Sequence, residues 1–239
     1  MPKLSIIIPV FNGGKTLGAC LQSIVSQTFE DFEIIVCDGD SLDETAKIIE
    51  KYGEQIIVST QKDRGVYDAM NRGLDIATGE WIYFLGADDR LADSKVLSSV
   101  FSRSYDAISL ILGKAKHENL KSSKVPVEYR SSLSSKIIWR NSVHHQSAFY
   151  HNLLFTDFRY DLDYEVLADY HLNLKLYKQG VATRELDDLI AVCDADGLSK
   201  QFNVDLYKEE IRLKSSVLSP NSMVIQRCWI WIKYLWKNS

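Results

Sequence analysis

The chain has 239 residues, 46% of them hydrophobic, and a formal net charge of −4. This length and apolar content suit one large or two small globular domains with a substantial buried core. The acidic balance argues against a nucleic-acid partner, because general nucleic-acid-binding proteins carry an excess of basic residues that meets phosphate.

The cysteines and the start of the chain predict a cytoplasmic protein. Cys20, Cys37, Cys193 and Cys228 have no metal-ligand spacing and lie among apolar residues, which predicts reduced and mostly buried thiols. Met1 is followed almost at once by the apolar run 4–10, which is too short for a secretory core and has no cleavage site.

Strand and helix patterns alternate through the first half of the chain. Strands are predicted over 4–10, 33–37, 56–59 and 81–85, with helices between them. Ser41 and Glu44 have the spacing of a capping box, which predicts Ser41 as the N-cap of a helix that runs to Tyr52. This order predicts an α/β fold with a single doubly wound, mostly parallel sheet flanked by helices.

The pattern loosens in the second half. Residues 106–112 and 125–130 are candidate strands, and a helix is predicted from about 163 to 179, ending at Gly180. The tail forms a predicted C-terminal helical extension, "MVIQRCWIWIKYLWKN", which is too short and too charged to span a bilayer. Its aromatic and basic residues suit a helix in a membrane interface, but packing on the domain or on a second subunit stays equally open.

Two adjacent carboxylates follow the fourth predicted strand, in "YFLGADD". Asp88 and Asp89 should repel each other unless a proton or a cation intervenes. Mg²⁺ or Mn²⁺ would relieve this repulsion, because these ions prefer oxygen ligands and often share them with substrate phosphates. The alternative is that the pair begins the next helix, where carboxylates favour the positive end of the helix dipole.

An ordered series of motifs resembles the family 2 glycosyltransferases, which have a GT-A fold. The series begins with "SIIIPVFNGG" and "CDGDSLDET" and continues through "KDRGVYDAMNRG" to the Asp-Asp pair. The resemblance covers about residues 3 to 90 and, with looser matching, 140 to 200. It implies similarity to bacterial enzymes that build capsular polysaccharide, exopolysaccharide or lipopolysaccharide. The domains would be a GT-A domain over 1–200, with a nucleotide-sugar half (1–113) and an acceptor half (114–200), and a helical extension over 201–239.

The resemblance also implies roles for individual residues of the first half. Asp89 would be the direct metal ligand, and Asp38 would bind the nucleotide base. The full set implied for nucleotide-sugar binding is Pro9, Phe11, Asn12, Asp38, Asp63, Gly65, Asn71 and Asp88.

In the second half, the family places a catalytic carboxylate at the start of a late helix. "VLADYHLNLKLYKQG" matches this position and makes Asp169 the candidate base, with apolar helical neighbours that would shield it from water. His144 and His145 match a His-Gln position and could contact the diphosphate, the metal or the acceptor. The loop 196–199 resembles a family Gly-x-Ser loop that closes over the site.

The activity implied is an inverting transfer, dependent on Mn²⁺ or Mg²⁺, of a hexosyl or N-acetylhexosaminyl group. The donor would be a nucleoside-diphosphate sugar, with UDP as the expected nucleotide, and the acceptor a hydroxyl of a glycan or lipid-linked glycan at the inner face of the membrane. A nucleotide-sugar-binding scaffold without transfer activity is one alternative. A haloacid-dehalogenase-like phosphatase is another alternative, although Leu42 stands where that family has Thr or Val. A nucleotidyltransferase would have a glycine- and basic-rich loop after the first strand, and the sequence lacks this loop.

Overall fold

In the computed structural model, which describes residues 1–119, 126–194 and 204–238, nine strands form one sheet. The strands are β1 (Leu4–Val10), β2 (Phe32–Asp38), β3 (Ile57–Thr60), β4 (Trp81–Phe84), β5 (Arg90–Leu91), β6 (Leu110–Glu118), β7 (Glu128–Arg130), β8 (Ala148–His151) and β9 (Thr183–Asp194). The helices are α1 (Leu17–Val25), α2 (Thr45–Tyr52), α3 (Val66–Ile76), α4 (Val96–Phe101), α5 (Ala168–Lys178), α6 (Val204–Val217) and α7 (Pro220–Asn238).

The strand order is β3-β2-β1-β4-β8-β6-β9-β5, with β7 paired to β6. The first four strands are parallel, as predicted, and β9 is parallel to β6. β8 runs antiparallel between β4 and β6 and so joins the parallel first half to the second half. The structure confirms the predicted α/β architecture.

The central strands are buried on both faces, which explains their continuous apolar runs. In β1, Ile7 joins a core shared with α3 and α5, whereas Ile6 and Ile8 join a core shared with α1 and α4. Helices therefore cover both faces of the sheet. β3 lies at the edge of the sheet, and most of its residues are exposed.

Two predicted helix starts are wrong. α2 begins at Thr45, because the Ser41 hydroxyl is bonded to Asp38 instead of capping a helix. α5 begins at Ala168 and not near 163, because the amide groups of Val166 and Leu167 donate to the Glu209 carboxylate at 3.0 and 2.6 Å. The short strands β5 and β8 and the long strand β9 were not predicted.

The cysteine prediction holds for three positions, since Cys20, Cys37 and Cys193 are buried while Cys228 is exposed. The boundary predicted at 200/201 and the loop 196–199 lie outside the described residues, as do the side chains of Trp236 and Lys237. Among the helices of the described ranges, none combines the length and apolar content that crossing a bilayer needs.

The buried Lys214 side chain of α6 ties the C-terminal helices to each other and to the body, and it is paired with Glu210 of the same helix. The Lys214 side chain is 0% exposed, and its Nζ lies 2.9 Å from the Glu210 carboxylate. The same Nζ donates to Gln226 in α7 at 3.0 Å and to the Trp139 carbonyl at 3.2 Å. Burial lowers the pKa of Lys214, and Glu210 opposes that shift. The helical extension is thus packed into the fold through the Lys214 ammonium group, whose buried charge needs the Glu210 carboxylate.

We predict that Glu210→Ala destabilises the protein by about 3–5 kcal/mol, because it leaves the Lys214 charge buried without a carboxylate. Urea unfolding measures the change. Asp205→Ala is the matched control, since it removes an exposed carboxylate paired with Lys208 on the same helix and should cost about 0–1 kcal/mol. Replacing both buried partners, by Glu210→Leu with Lys214→Met, should recover most of the lost stability, and equal loss in all three variants would contradict the prediction.

Candidate active site

The carboxyl ends of β1, β2 and β4 bring the predicted polar residues to one edge of the sheet. Val10 is in register with Asp38, and Ile7 with Phe84. The amide of Gly39 donates to the Val10 carbonyl at 2.8 Å, which fixes the loops after β1 and β2 against each other. Open α/β sheets bind their ligands at such an edge.

A hydrogen-bond network joins Asn12, Asp38 and Ser41. The Asp38 carboxylate is buried and accepts from both the amide and the hydroxyl of Ser41. The Ser41 hydroxyl oxygen in turn accepts from the backbone N–H of Asn12 at 2.8 Å. The side-chain Oδ1 of Asn12 accepts from the backbone N–H of Leu42 at 2.9 Å. Asn12 has φ +53°, a backbone conformation that asparagine tolerates better than most residues. The Asn12 side chain therefore shapes the loop.

The two other predicted residues at the end of β1 differ in exposure. Pro9 is buried in the strand, opposite Cys37, so its contribution is to the strand end. Phe11 is 62% exposed although it is a large apolar side chain. An exposed aromatic ring beside a buried carboxylate offers a stacking surface for a planar ligand.

Arg72 connects Asp63 to the end of β2. Its Nη2 lies 3.4 Å from the Asp63 carboxylate and donates to the Asp38 carbonyl at 3.2 Å. Asp63 also accepts from the Gly65 amide at 3.0 Å, and Gly65 has φ +118°, a conformation that favours glycine. A Cβ at Gly39 would stand 2.6 Å from Asp63 Oδ2, so the two loops can approach only because residue 39 is a glycine.

Sequence reasoning missed Arg72 as a site residue. The sequence did carry a signal for this role, because Arg72 lies on a different face of α3 from the apolar side chains of that helix. Asn71 was predicted to bind the nucleotide sugar, and this role stays a prediction. In the structure its amide nitrogen donates to the Tyr160 carbonyl at 2.9 Å, and its oxygen accepts from the Tyr160 amide at 2.8 Å. These two contacts hold α3 to the second half of the chain.

The adjacent carboxylates after β4 have different environments. Asp88 is exposed, whereas Asp89 is only 5% exposed. The Asp89 carboxylate accepts from Gln146 Nε2 at 2.8 Å and from the Asp194 amide at 3.2 Å. Burial, and then the charge of Asp88, raise the pKa of Asp89 to about 6, against the opposing effects of Gln146 and His145. The predicted repulsion is therefore present in the fold.

The alternative interpretation of the pair, as the first turn of a helix, is wrong. Asp89 is followed directly by β5, and the next helix, α4, begins only at Val96. These carboxylates are held at the strand edge by the sheet, without a helix dipole to stabilise them.

The residues around Asp89 fit a hard divalent cation. Within the described residues no group of three His, Cys, Asp or Glu side chains is placed to hold a metal, so the protein offers an incomplete ligand set. It consists of the exposed Asp88 carboxylate and the buried Asp89 carboxylate. Beside them, the buried Gln146 Oε1 has no hydrogen-bond partner among the described residues. Mg²⁺ and Mn²⁺ suit such oxygen sites, where substrate phosphates complete the shell.

Asp169 lies in the first turn of α5, buried among polar groups. Asn141 Nδ2 donates to its Oδ2 at 3.1 Å, and the Tyr170 amide donates to its Oδ1 at 2.7 Å. The Tyr67 hydroxyl is 3.3 Å from the same Oδ1. Its apolar helical neighbours Leu172 and Leu176 pack into the core, and Asp169 itself is only 9% exposed. The carboxylate is thus positioned by several donors, and none of these was foreseen.

His145 lies between the two candidate carboxylates. Its Nδ1 is 3.5 Å from Asp169 Oδ2, and its charge lowers the pKa of Asp89. His145 is therefore within electrostatic range of both the predicted base and the predicted metal ligand. It begins a short 3₁₀ turn, His145–Ser147, just before β8, so the antiparallel strand in the middle of the sheet carries it to this edge.

His144 has a different partner. His117 Nδ1 lies 3.0 Å from the Pro126 carbonyl, which can only accept, so the neutral His117 carries its proton there. His117 Nε2 must then accept from His144 Nε2, 3.2 Å away. The imidazole ring of His144 also stacks on that of His145, with centroids 5.9 Å apart. His144 thus supports the site from behind His145.

Comparison with known proteins places the chain in a family. The family model "Glycosyl transferase family 2" matches residues 5–184. A PGL/p-HBAD biosynthesis glycosyltransferase of Mycobacterium tuberculosis (strain ATCC 25618 / H37Rv) is 38% identical over 198 residues, which are 80% of this chain and 76% of that protein. A second relative is the GalNAc(5)-diNAcBac-PP-undecaprenol beta-1,3-glucosyltransferase of Campylobacter jejuni subsp. jejuni. It is 34% identical over 118 residues, 47% of this chain and 38% of that enzyme.

The fold has solved counterparts. The crystal structure of S. aureus TarS 1-349 in complex with UDP-GlcNAc matches with a TM-score of 0.70 at 22% sequence identity. The match covers 88% of this chain and 65% of that chain. At this level of identity the similarity establishes the fold, which is that of the GT-A glycosyltransferases.

We predict that Asp89→Asn stabilises the metal-free protein at pH 7.5. The pKa of Asp89 is about 6 in the folded state against 3.8 in the reference state, so ionisation opposes folding, by up to about 3 kcal/mol. This loss of stability is nearly absent below about pH 4, grows as the pH rises from 4 to 6, and is almost complete above 6. The Gln146 amide can rotate to accept from the new amide group.

Urea unfolding of wild type and variant from pH 4 to pH 8, in the presence of a chelator, measures the effect. The stability difference should vanish at pH 4 and favour the variant at pH 7.5. Asp40→Asn is the matched control, because Asp40 is exposed and its backbone conformation (φ +69°) also suits asparagine, so the substitution should give a much smaller difference. A difference that does not change with pH would contradict the prediction.

Proposed function

The chain belongs to glycosyl transferase family 2, and we propose that it transfers a hexosyl or N-acetylhexosaminyl group from a nucleoside-diphosphate sugar to an acceptor hydroxyl. The observation that carries the proposal is the assembly, at one sheet edge, of Asp38, the Asp88-Asp89 pair and Asp169. His145 Nδ1 lies 3.5 Å from the Asp169 carboxylate, and the same imidazole acts electrostatically on Asp89. Nucleotide binding, cation binding and removal of the acceptor proton each need one of these groups.

The nucleotide would bind over the ends of β1 and β2. Phe11 is exposed for stacking on the base, and the buried Asp38 carboxylate is held by Ser41 in position to accept a base N–H. Asp63 and Arg72 brace this pocket, and Gly65, with φ +118°, allows the turn from this loop into α3. A UDP donor is the proposed substrate, and TarS, which shares the fold, has been solved with UDP-GlcNAc.

Asp89 would hold a divalent cation, Mn²⁺ or Mg²⁺, together with the donor diphosphate and beside the Asp88 carboxylate. When bound, such an ion supplies Lewis-acid stabilisation of the departing nucleoside diphosphate. Asp89 is the direct ligand, because its buried position and raised pKa leave a charge that a cation would neutralise. Asp88 is exposed and would contact the nucleotide part of the donor.

Asp169 would act as the general base. Asn141 and the Tyr170 amide fix the carboxylate, so one oxygen lone pair can take the proton of the acceptor hydroxyl. The hydroxyl attacks the anomeric carbon from the face opposite the leaving diphosphate, and one displacement inverts the configuration. His145 can stabilise the charges on both sides of the reacting centre.

The acceptor would be a hydroxyl of a glycan or of a lipid-linked glycan in bacterial surface polysaccharide synthesis. The Campylobacter relative is named for an undecaprenol-linked glycan, which supports this class. We assign donor binding to residues 1–113, acceptor binding to 114–200 and a helical extension to 201–239. Such an acceptor would place the enzyme at the inner face of the membrane.

The contacts of Asp38 argue against the phosphatase alternative. In a haloacid-dehalogenase-like phosphatase Asp38 would be the nucleophile, but its carboxylate is buried and bonded to Ser41. A scaffold that binds nucleotide sugars without transfer would lack the base, whereas Asp169 is positioned by four neighbouring groups.

The first test concerns the donor and the metal. Thermal unfolding with a panel of UDP and GDP sugars should show stabilisation by the true donor only when Mn²⁺ or Mg²⁺ is present, because the phosphates and the Asp89 carboxylate share the ion. Asp89→Asn should abolish this stabilisation. Asp187→Asn, an exposed carboxylate at the far edge of the sheet, should leave it intact. No shift with any donor would contradict the proposal.

The second test concerns the base. Asp169→Asn should lower kcat by ~10²- to 10⁴-fold, the usual contribution of a general base, while the Mn²⁺-dependent thermal shift with donor survives. Asp163→Asn is the matched control, since this exposed aspartate lies before the same helix. Transfer by Asp169→Asn at the wild-type rate would remove Asp169 from the mechanism.

A further inference from the structure

The outward face of α7 carries a row of apolar side chains that the rest of the described chain leaves uncovered. Val224, Ile225, Trp231 and Ile232 are 67%, 63%, 49% and 58% exposed. The opposite side of the same helix is buried in the fold through Met223, Gln226 and Ile230. Packing on the domain therefore explains one side of α7 and leaves its second apolar side unexplained.

Trp139 extends this surface beyond the helix. Its ring meets the ring of Trp229 edge to face, with centroids 6.0 Å apart, and both side chains are exposed by about two fifths (42% and 41%). The Trp139 carbonyl accepts from the buried Lys214, which holds this loop against the C-terminal helices. We call the surface formed by these residues the aromatic face: Trp139, Val224, Ile225, Trp229, Trp231 and Ile232.

The charge around the aromatic face is opposite in sign to the net charge of the protein. The two segments that form it, 131–145 and 220–238, contain no acidic residue, although the whole chain has a net charge of −4. They contain five basic residues, Lys136, Arg140, Arg227, Lys233 and Lys237. Lys136, Arg140 and Arg227 are exposed, while Lys233 is paired with Glu210. A positive rim thus borders an apolar, tryptophan-rich surface.

We propose that the aromatic face lies in the headgroup region of an anionic membrane. Tryptophan rings favour the bilayer interface, and exposed Lys and Arg side chains bind anionic headgroups. The aliphatic side chains of α7 would enter the acyl boundary while the helix stays parallel to the surface. A symmetric dimer through the same face would bring the basic rims of two copies together, which is unfavourable.

The aromatic face also borders the candidate base. Arg140 is followed by Asn141, whose side chain donates to Asp169 at 3.1 Å. A membrane under Trp139 and Arg140 would therefore lie beside the side of the site that takes the acceptor. Resting on the proposed function, we infer that the acceptor is an amphiphilic, lipid-linked glycan whose hydroxyl reaches Asp169 from the bilayer surface.

Co-sedimentation of the full chain with vesicles tests the proposal. Vesicles of phosphatidylcholine with phosphatidylglycerol should sediment the protein, and vesicles of phosphatidylcholine alone should do so much less. Raising the salt concentration should weaken binding, because screening acts on the basic rim. The Arg140→Gln and Arg227→Gln substitutions should each weaken the partition coefficient about five-fold.

The apolar contribution is tested by Trp231→Ser with Ile232→Ser, which should weaken binding by at least about ten-fold, because two large side chains leave the lipid. Leu153→Ser is the matched control, since it removes an apolar side chain that is 73% exposed outside the aromatic face. The double variant and Leu153→Ser replace exposed side chains, so both should keep the wild-type unfolding curve. Vesicle binding unaffected by the double variant would overturn the proposal.

Two further measurements separate this proposal from its rivals. Sedimentation equilibrium that shows a wild-type dimer, lost in Trp231→Ser with Ile232→Ser, would assign the face to a second copy and overturn the proposal. Hydrolysis of the donor sugar in the absence of acceptor should be equal in wild type and double variant, because the variant leaves the site intact. Loss of vesicle binding with intact hydrolysis supports the membrane contact, and absence of hydrolysis in both proteins would instead count against the proposed transfer activity.

Discussion

The arrangement of the site depends on one unfavourable interaction, the burial of the Asp89 charge next to Asp88. The sheet imposes it, because β4 ends at Phe84 and the chain turns at once into β5 without a helix that could stabilise the carboxylates. Gln146 and His145 offset part of the cost. A site that is held in an electrostatically incomplete state binds a cation together with its anionic ligand more strongly than either alone.

The sequence predicted the first half of the fold well because its signals are local. Central parallel strands are buried on both faces, so "LSIIIPV" and "FEIIVCD" appear as uninterrupted apolar runs, and the polar residues after them mark the strand ends. The same argument located Asp38, Asp88 and Asp89 at one edge. The second half was predicted poorly because β8 and β9 pair with strands distant in sequence, and pairing of this kind leaves no periodic signal.

Tertiary contacts explain what spacing and motifs did not predict at individual residues. The capping role predicted for Ser41 is wrong because its hydroxyl is bonded to Asp38, and the side chain of Asn71 has contacts with the Tyr160 backbone that its motif did not indicate. Arg72, Asn141 and Gln146 were missed for the converse reason. Each gains its role only when the fold brings it to a carboxylate far away in the sequence, 9, 28 and 57 residues from its partner.

The helix α3 gives the two halves of the site a common mechanical element. It starts at Val66, next to the loop that carries Asp63, and one residue later the Tyr67 hydroxyl contacts both the Val166 carbonyl and Asp169. One turn further on, Asn71 binds the backbone of Tyr160. Any displacement of α3 would therefore move the Asp63 loop and the surroundings of Asp169 together, so this one helix couples the two ends of the candidate site mechanically.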